Sequence, residues 1–212
     1  ALAEAGVQMK LKDLGHRFGL RPWLFRHLDL ELRPGKVYSL VGPSGSGKST
    51  LLSILAGWCL PAEGSVERPK RLTVGWVFQN PFGSPNRNAR DHVALPLLAQ
   101  GMSVEDADHE ASELLVRFAL EHVSDQPFHR LSGGEAQRLM LARGIASDPS
   151  LLLVDEPTAQ LDQRTAADVS ASLTALATRD TIVVVATHDE RVRSACTDHI
   201  DLSEFSDAEK EP

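Results

Sequence analysis

The stretch Gly42-Pro43-Ser44-Gly45-Ser46-Gly47-Lys48-Ser49-Thr50 matches the pattern G-x-x-x-x-G-K-[S/T] at every defined position. It lies between an apolar strand predicted over residues 36–41 and an apolar helix that carries residues 51–55. Glycines let backbone N–H groups surround a phosphate, and the helix directs the positive end of its dipole toward it. In such a loop Lys48 reaches the β- and γ-phosphates, and the Ser49 hydroxyl is placed to bind Mg²⁺. The alternative, a glycine-rich turn before a helix, would arise by chance in roughly one chain of this length in a hundred, so we predict a phosphate-binding loop.

The composition is ordinary for one α/β domain with a full core. The 212 residues are 42% hydrophobic and 24% charged, and the longest near-apolar run, residues 51–60, is far shorter than a membrane-spanning helix. The net charge of −7 argues against a nucleic-acid groove, which requires clustered Lys and Arg, so we expect no nucleic-acid partner. No signal peptide is visible, and Cys59 and Cys196 form no disulfide framework. These features predict a cytoplasmic location.

The predicted organisation is a single α/β domain interrupted by helices. Strands are predicted over residues 7–18 and 28–33, and after the phosphate loop a turn over residues 61–64 precedes a strand over residues 72–78. The next segment is mostly helical, with Ser103 at a helix start and one apolar face. That face carries Val104, Ala107, Ala111, Leu114, Leu115 and Phe118. The predicted division of residues 1–212 is an α/β core over 1–80 and 131–202, a helical subdomain over 81–130 and a frayed acidic tail over 203–212.

Another helix is predicted to begin at Leu131-Ser132-Gly133-Gly134-Glu135 and to end near Ala146. Ser132 and Glu135 have the spacing of a capping box, which needs no ligand. The serine, the two glycines and the free N–H groups also suit an anion at a helix start. These residues alone leave both interpretations open, and the capping box does not explain the double glycine.

Two adjacent carboxylates, Asp155 and Glu156, follow the apolar run 151–154, which predicts a strand buried on both faces of a parallel sheet. Ligands bind beyond the C-terminal ends of such strands, so both acids would lie on the edge of the phosphate loop if the two strands are parallel neighbours. Asp155 would then hold Mg²⁺, and Glu156 would polarise the water that attacks the γ-phosphate. The alternative is two acids that merely begin a loop.

The last part of the chain adds two more candidate residues. Asp162 precedes a helix predicted over residues 163–178, and His188 follows a buried strand predicted over residues 181–186. A final strand is predicted over residues 199–202. A lone histidine at a strand end can be a structural hydrogen-bonding residue or a ligand contact, and the sequence leaves both open.

The order of these motifs resembles the ATP-binding cassette of ABC transporters, over about the whole chain. The resemblance is carried by the phosphate loop, Gln79 after a strand, LSGGE at 131–135, LLLVDEP at 151–157, Leu161-Asp162 and His188. Within the family, the segments WVFQNP, DHVALPLLAQG and LSGGE are most similar to ATPases of the lipoprotein-release, macrolide-export and FtsE-like group. The resemblance implies a P-loop NTPase core with a mainly parallel sheet, an N-terminal antiparallel part and a helical insertion.

The resemblance also implies a mechanism. Two cassettes pack head to tail, so that Ser132, Gly133, Gly134 and Glu135 of one copy close over ATP held by the phosphate loop of the other. Phe18 falls where the family stacks an aromatic ring on adenine. Gln79 would sense Mg²⁺ and the attacking water, and His188 would contact the γ-phosphate. Asp162 would communicate across the dimer.

The implied activity is the hydrolysis of ATP with Mg²⁺, with Glu156, His188 and Gln79 as the catalytic residues. The implied partners are a transmembrane permease and a second ABC ATPase subunit, identical or paralogous, which would hold the chain on the inner face of the cell membrane. One alternative is a cassette that drives mechanical signalling to an extracytoplasmic enzyme without moving solute. Another is a DNA-associated ATPase of the SMC kind, although only 84 positions separate Lys48 from Ser132 and no sustained heptad pattern fills that gap.

Overall fold

The structure, a computed structural model, describes residues 8–177 and 180–206. Within them the chain forms the strands β1 (Met9–His16), β2 (Phe25–Leu32), β3 (Val37–Val41), β4 (Glu63–Glu67), β5 (Val74–Val77), β6 (Leu151–Asp155), β7 (Ile182–Ala186) and β8 (Asp198–Asp201). The helices are α1 (Lys48–Leu55), α2 (Ala89–Ala99), α3 (Val104–Arg117), α4 (Gly133–Ala146), α5 (Gln163–Leu173) and α6 (Glu190–Ala195). Short 3₁₀ turns cover Glu121–Val123, Phe128–Arg130, Thr174–Leu176 and Leu202–Phe205.

The central sheet is parallel and has the strand order β5-β6-β7-β3-β8. Two of its inner strands, β6 and β7, contain apolar runs that are buried over residues 151–154 and 182–186, because both faces of the sheet are covered. Leu152 and Val154 pack into the hydrophobic cluster that includes α2 to α5, whereas Leu151 and Leu153 pack into the cluster that includes α1 and the N-terminal strands. The alternation of side chains along a strand thus divides the core into two layers.

The strands that carry the phosphate loop and the two acids are not direct neighbours, contrary to the condition stated from the sequence. Strand β7 lies between them, and its residue Ala186 pairs with Leu40 of β3 on one side and with Asp155 of β6 on the other. Because both outer strands end level with Ala186, the loop after β3 and the carboxylates after β6 still share one sheet edge. The expected placement is therefore obtained through an intervening strand.

A separate antiparallel sheet has the order β2-β1-β4; β1 and β2 precede the parallel strands in the chain, and β4 follows α1. This confirms the predicted α/β fold with its antiparallel N-terminal part. The expected turn over residues 61–64 is wrong, because Glu63 and Gly64 already belong to β4. Gly64 has φ 74°, and a Cβ there would overlap the carbonyl oxygen of Asp13 on β1, so only glycine permits this pairing.

The first strand is shorter than predicted. It ends at His16, so Phe18 belongs to the turn that follows; Val7 lies outside the described residues. The turn from Phe18 to Arg21 is closed by a backbone hydrogen bond of 3.1 Å. This places the Phe18 ring on an exposed loop after β1, instead of on the sheet.

The helical segment consists of two helices, α2 and α3, separated at Gly101, whose φ is 93°. Ser103 caps α3 as predicted, accepting a hydrogen bond from the backbone N–H of Asp106. The predicted apolar face is buried from Ala107 to Phe118, but Val104 is 76% exposed and does not belong to it. The limits 81–130 proposed for a helical subdomain stay a prediction.

The C-terminal part differs from expectation in two places. Helix α5 ends at Leu173 and continues as a 3₁₀ turn to Leu176; Thr178, the predicted end, lies outside the described residues. Residues 203–205, assigned to a frayed tail, form a 3₁₀ turn behind the buried Leu202, and residues 207–212 lie outside the described residues. Among the described residues, no helix is both long and apolar enough to cross a bilayer.

Candidate nucleotide-binding site

The loop from Gly42 to Thr50 leads from β3 into α1 and encloses the Lys48 side chain. Gly47 is the N-cap of α1 with φ 95°, and a Cβ there would lie 3.0 Å from the side chain of Leu24, so glycine is required on both counts. Lys48 Nζ donates hydrogen bonds to the carbonyl oxygens of Gly42, at 2.9 Å, and Pro43, at 3.4 Å. The ammonium group is therefore held inside the loop, at the N-terminus of the helix.

The chemistry of this loop fits a phosphate. The hydroxyl of Ser46 is buried and has no hydrogen-bond partner among the described residues. A buried hydroxyl without a partner is costly unless a ligand satisfies it. A phosphate oxygen would accept from this hydroxyl and from the helix N–H groups while Lys48 balances the charge.

Ser49 and Asp155 form the candidate metal site. Ser49 Oγ lies 3.4 Å from Asp155 Oδ1, joining the start of α1 to the end of β6. Burial raises the pKa of Asp155 above its usual range, and so does the charge of Glu156; the Ser49 hydrogen bond and the Lys48 charge act in the opposite direction. A hydroxyl and a partly buried carboxylate are the oxygen donors that Mg²⁺ prefers, so the residues fit that ion.

Glu156 is held between two basic side chains. Its Oε2 lies 2.8 Å from His188 Nδ1, and its Oε1 lies 3.9 Å from Lys48 Nζ. The backbone of Glu156 has φ 45°, in the left-handed region, and its N–H donates to the carbonyl oxygen of Ala186 at 2.9 Å. A non-glycine residue in this region is uncommon and is typical of a sharp turn or of a functional site. The turn separates the side chain of Glu156 from that of Asp155.

The segment Ser132 to Glu135 has the predicted capping box at the start of α4. Ser132 Oγ accepts from the Glu135 N–H at 3.4 Å, and Glu135 Oε2 accepts from both the Ser132 N–H, at 2.8 Å, and its hydroxyl, at 2.7 Å. Ser132 and Gly133 are exposed. Among the described residues, no hydrogen bond or ion pair joins this segment to the phosphate loop of the same chain.

Packing against α5 explains the glycine at position 134, which the capping box does not. A Cβ on Gly134 would overlap the Cγ2 methyl of Thr165 on α5. Asp162, the N-cap of α5, accepts from the N–H groups of Arg164 and Thr165 and from the Thr165 hydroxyl at 2.6 Å. The Thr165 hydrogen bond, more than any other cause, lowers the pKa of Asp162. Gly134 therefore allows α4 to approach the start of α5, where Asp162 lies.

Two predicted site residues are exposed and lie apart from these contacts. Phe18 is 52% exposed, and its ring meets the edge of His16 with a centroid distance of 4.8 Å. Gln79 is exposed in the loop after β5, and its side chain makes no hydrogen bond within the described part of the chain. The geometry leaves both available to a ligand and joins neither to Glu156 or Lys48.

The sequence did not point to two residues that contact the site. His122, in the turn Glu121–Val123, lies with Nε2 3.1 Å from Glu135 Oε1. Thr165 is the other, through its contacts with Asp162 and Gly134. Its position three residues after an N-cap aspartate was a usable signal, whereas nothing in the sequence pairs His122 with a glutamate thirteen residues away.

Comparison with known proteins identifies the family. The family model described as ABC transporter matches residues 25–159. The lipoprotein-releasing system ATP-binding protein LolD 1 of Rhodopirellula baltica is 35% identical over 195 residues, covering 84% of this chain and 85% of that protein. A LolD protein of Hahella chejuensis is 36% identical over 197 residues, with 85% of each chain covered.

Solved structures agree with this. The dimeric post-hydrolysis state of the ATP-binding cassette MJ0796, bound to ADP and Pi, superposes with a TM-score of 0.73 at 31% identity, covering 93% of this chain and 94% of that one. CbiO1 from Clostridium perfringens has a TM-score of 0.78 at 23% identity over 91% of this chain and 83% of its own, which shows the fold alone. The chain therefore belongs to the ABC transporter family, as an ATP-binding cassette that hydrolyses ATP and serves as the nucleotide-binding subunit of an ABC complex.

Proposed function

We propose that this cassette is the motor subunit of a membrane complex of the lipoprotein-release type, acting as a dimer that closes around two ATP molecules. One observation carries the proposal. Lys48, the adjacent pair Asp155 and Glu156, and His188 come from three separate segments and meet at one edge of the parallel sheet. They are linked by the contacts of Ser49 with Asp155 and of Glu156 with both basic residues.

Each of these residues has a role that its chemistry supports. Lys48, the loop N–H groups and the Ser46 hydroxyl bind the β- and γ-phosphates, while Ser49 and Asp155, with Gln79, hold Mg²⁺. When bound, the metal ion offsets the charge on the phosphate oxygens. Glu156 accepts a proton from the attacking water, and His188 fixes the orientation of the Glu156 carboxylate through the 2.8 Å contact.

The position of residues 132–135 supports the proposed dimer. Their exposed serine and glycine lie at a helix N-terminus and do not bond to the phosphate loop of their own chain. A helix start of this kind binds anions. We infer that it completes the nucleotide site of a second copy, where Ser132, Gly133 and Gly134 would meet the γ-phosphate and Asp162 would lie at the interface.

A permease segment would dock in the groove between β5 and the helices α2 and α4. This groove has a volume of about 490 Å³, and its lining includes Phe78, Phe82, Leu95 and Met140. Phe82 is 83% exposed and Phe78 is 54% exposed. Exposed aromatic side chains of this size mark contact surfaces, and Gln79 lies between them in the chain, so docking and nucleotide sensing would share one loop.

The proposal is tested by the hydrolysis-deficient variant Glu156→Gln. We expect this variant to form a dimer in the presence of ATP and Mg²⁺ and to remain monomeric with ADP, as measured by light scattering after gel filtration. Membranes that contain a permease of the lipoprotein-release type should retain the chain, and the variant Phe82→Ala should be released. A variant that binds ATP but stays monomeric would contradict the motor function.

A further inference from the structure

The Glu135 carboxylate divides its two oxygens between different partners. Oε2 accepts from the N–H and the hydroxyl of Ser132, at 2.8 and 2.7 Å, and Oε1 lies 3.1 Å from Nε2 of His122. An ionised carboxylate accepts hydrogen bonds only, so Nε2 of His122 carries the hydrogen in this contact. His122 is thus a donor to the same carboxylate that holds Ser132.

The contact with Ser132 competes with its proposed role. A hydroxyl has a single proton, and in this structure the Ser132 proton is donated to Glu135. For Ser132 to donate to the γ-phosphate of a second copy, that proton must turn away from the carboxylate. A negative carboxylate next to an incoming phosphate also raises the energy of closure through like-charge repulsion.

The turn that carries His122 is fixed to the protein. Leu120 and Val123 on either side of it are buried, and the N–H of Leu120 donates to the carbonyl oxygen of Leu115 at 2.8 Å. His122 itself has a side chain that is 59% exposed, whereas that of Glu135 is 20% exposed. The backbone that carries the imidazole is therefore held in place by buried residues and a hydrogen bond, so the contact with Glu135 does not depend on a loose loop.

We propose that His122 is a positioning residue for residues 132–135, the dimer-closing segment. By donating to Oε1 of Glu135 it weakens the hold of that carboxylate on the Ser132 hydroxyl, which turns to the γ-phosphate bound to a second copy when the dimer closes. The inference rests on the proposed function, because it concerns the same closing surface. It assigns His122 an effect on closure that passes through Glu135 and does not reach the nucleotide directly.

A double-mutant cycle tests this mechanism in the Glu156→Gln background, with ATP-dependent dimerisation as the readout. His122→Ala is expected to raise the ATP concentration for half-maximal dimerisation about two- to fivefold, the change expected when a partly exposed contact with a carboxylate is lost. With Glu135→Gln also present, the carboxylate charge is gone and His122→Ala should have no further effect. His122→Gln, which restores an N–H donor, should recover part of the loss.

Two controls separate positioning from simple stability. His109→Ala makes the same substitution at an exposed histidine of α3 that has no hydrogen bond or ion pair within the described residues, and it should leave dimerisation unchanged. Binding of ATP to the monomer should be the same in all His122 variants. An equal shift with and without Glu135→Gln, or no shift at all, would overturn the role of His122 while leaving the motor function standing. Failure of the Glu156→Gln parent to dimerise would instead overturn both.

Discussion

His188 Nδ1 lies 2.8 Å from Glu156 Oε2, while the other oxygen of that carboxylate lies 3.9 Å from Lys48 Nζ. The carboxylate is thus oriented from both sides at the edge of the sheet. Because Glu156 adopts φ 45°, its side chain leaves the strand in a different direction from that of Asp155. This arrangement suits the two tasks proposed for the adjacent acids, Asp155 at the metal ion and Glu156 at the water.

The first prediction concerns Glu156→Gln. The amide keeps the shape of the side chain but cannot accept the proton of the attacking water, so ATP should bind normally. A general base contributes about 10² to 10⁴ in rate, so turnover should fall by that factor. Single-turnover hydrolysis of radiolabelled ATP measures the chemical step directly. Near-normal turnover would show that Glu156 is not the base.

The second prediction concerns Lys48→Ala, which removes the only side-chain cation inside the phosphate loop among the described residues. Nucleotide affinity itself should be lost, by about 10-fold or more, since a hydrogen bond to a charged group contributes about 1.5–3 kcal/mol. Calorimetric titration with ATP measures it. Lys70→Ala, at an exposed lysine before β5, is the matched control and should bind as the unmodified protein does. Unchanged affinity in the Lys48 variant would reject the loop as the phosphate site.

The third prediction concerns Phe18→Ala. Stacking of a base on an aromatic ring contributes about 1–3 kcal/mol, so ATP affinity should fall about 5- to 150-fold while the rate at saturation changes little. Phe18→Tyr should retain the affinity. Leu20→Ala, at a 97% exposed leucine in the same loop, tests whether the loop's apolar surface alone is responsible. A loss at Leu20 as large as that at Phe18 would count against stacking.

Local patterns in the sequence predicted the parts of the fold that depend on local physics. The glycines and Lys48 identified the loop, and the spacing of Ser132 and Glu135 predicted a cap that is present. Strand β4 was missed because Glu63–Glu67 has almost no apolar alternation and is held by pairing with β1. The position of β7 between the two site-bearing strands is a long-range property that no local window contains.

The site shows the same division. The sequence placed Asp155 and Glu156 at a strand end. Once the strands are parallel, their C-terminal ends share one edge, and Asp155 contacts Ser49 while Glu156 contacts His188. The pairing of His122 with Glu135 depends on how a short turn packs against the start of α4, so no spacing rule signals it. Contacts made across segments are what the structure adds.

The fourth prediction uses the raised pKa of Asp155. Burial disfavours the charged form of Asp155, so the folded protein is destabilised at pH values above the ordinary carboxyl pKa of 3.8. This cost disappears as the pH falls, because the carboxyl is then protonated in both the folded and the unfolded protein. Asp155→Asn should therefore raise the melting temperature of the nucleotide-free protein at neutral pH, and the difference should shrink in acid. Calorimetry at a series of pH values, from neutral pH down through the ordinary carboxyl value of 3.8, measures it.

The same variant should lose Mg²⁺-dependent stabilisation. Addition of Mg²⁺ and ATP should raise the melting temperature of the unmodified protein much more than that of Asp155→Asn, because a ligand stabilises only the state that binds it. Stabilisation of the two proteins by Mg²⁺ to the same extent would show that Asp155 is not a metal ligand.

The last prediction concerns the second glycine of the dimer-closing segment. Gly134→Ala should place a methyl group against Cγ2 of Thr165, and overpacking of this kind costs about 1–3 kcal/mol of the free energy of unfolding. Thr165→Ser removes that methyl group but keeps the hydroxyl that bonds to Asp162, so it should restore the stability of Gly134→Ala in the double variant. Gly133→Ala is the comparison, because its nearest neighbour, Leu161 Cδ2, lies at 3.3 Å and belongs to a flexible side chain. Urea unfolding of the four proteins decides between a packing requirement and a requirement for backbone freedom. If Thr165→Ser failed to rescue the alanine variant, the close approach of α4 to α5 would not be the reason for glycine at this position.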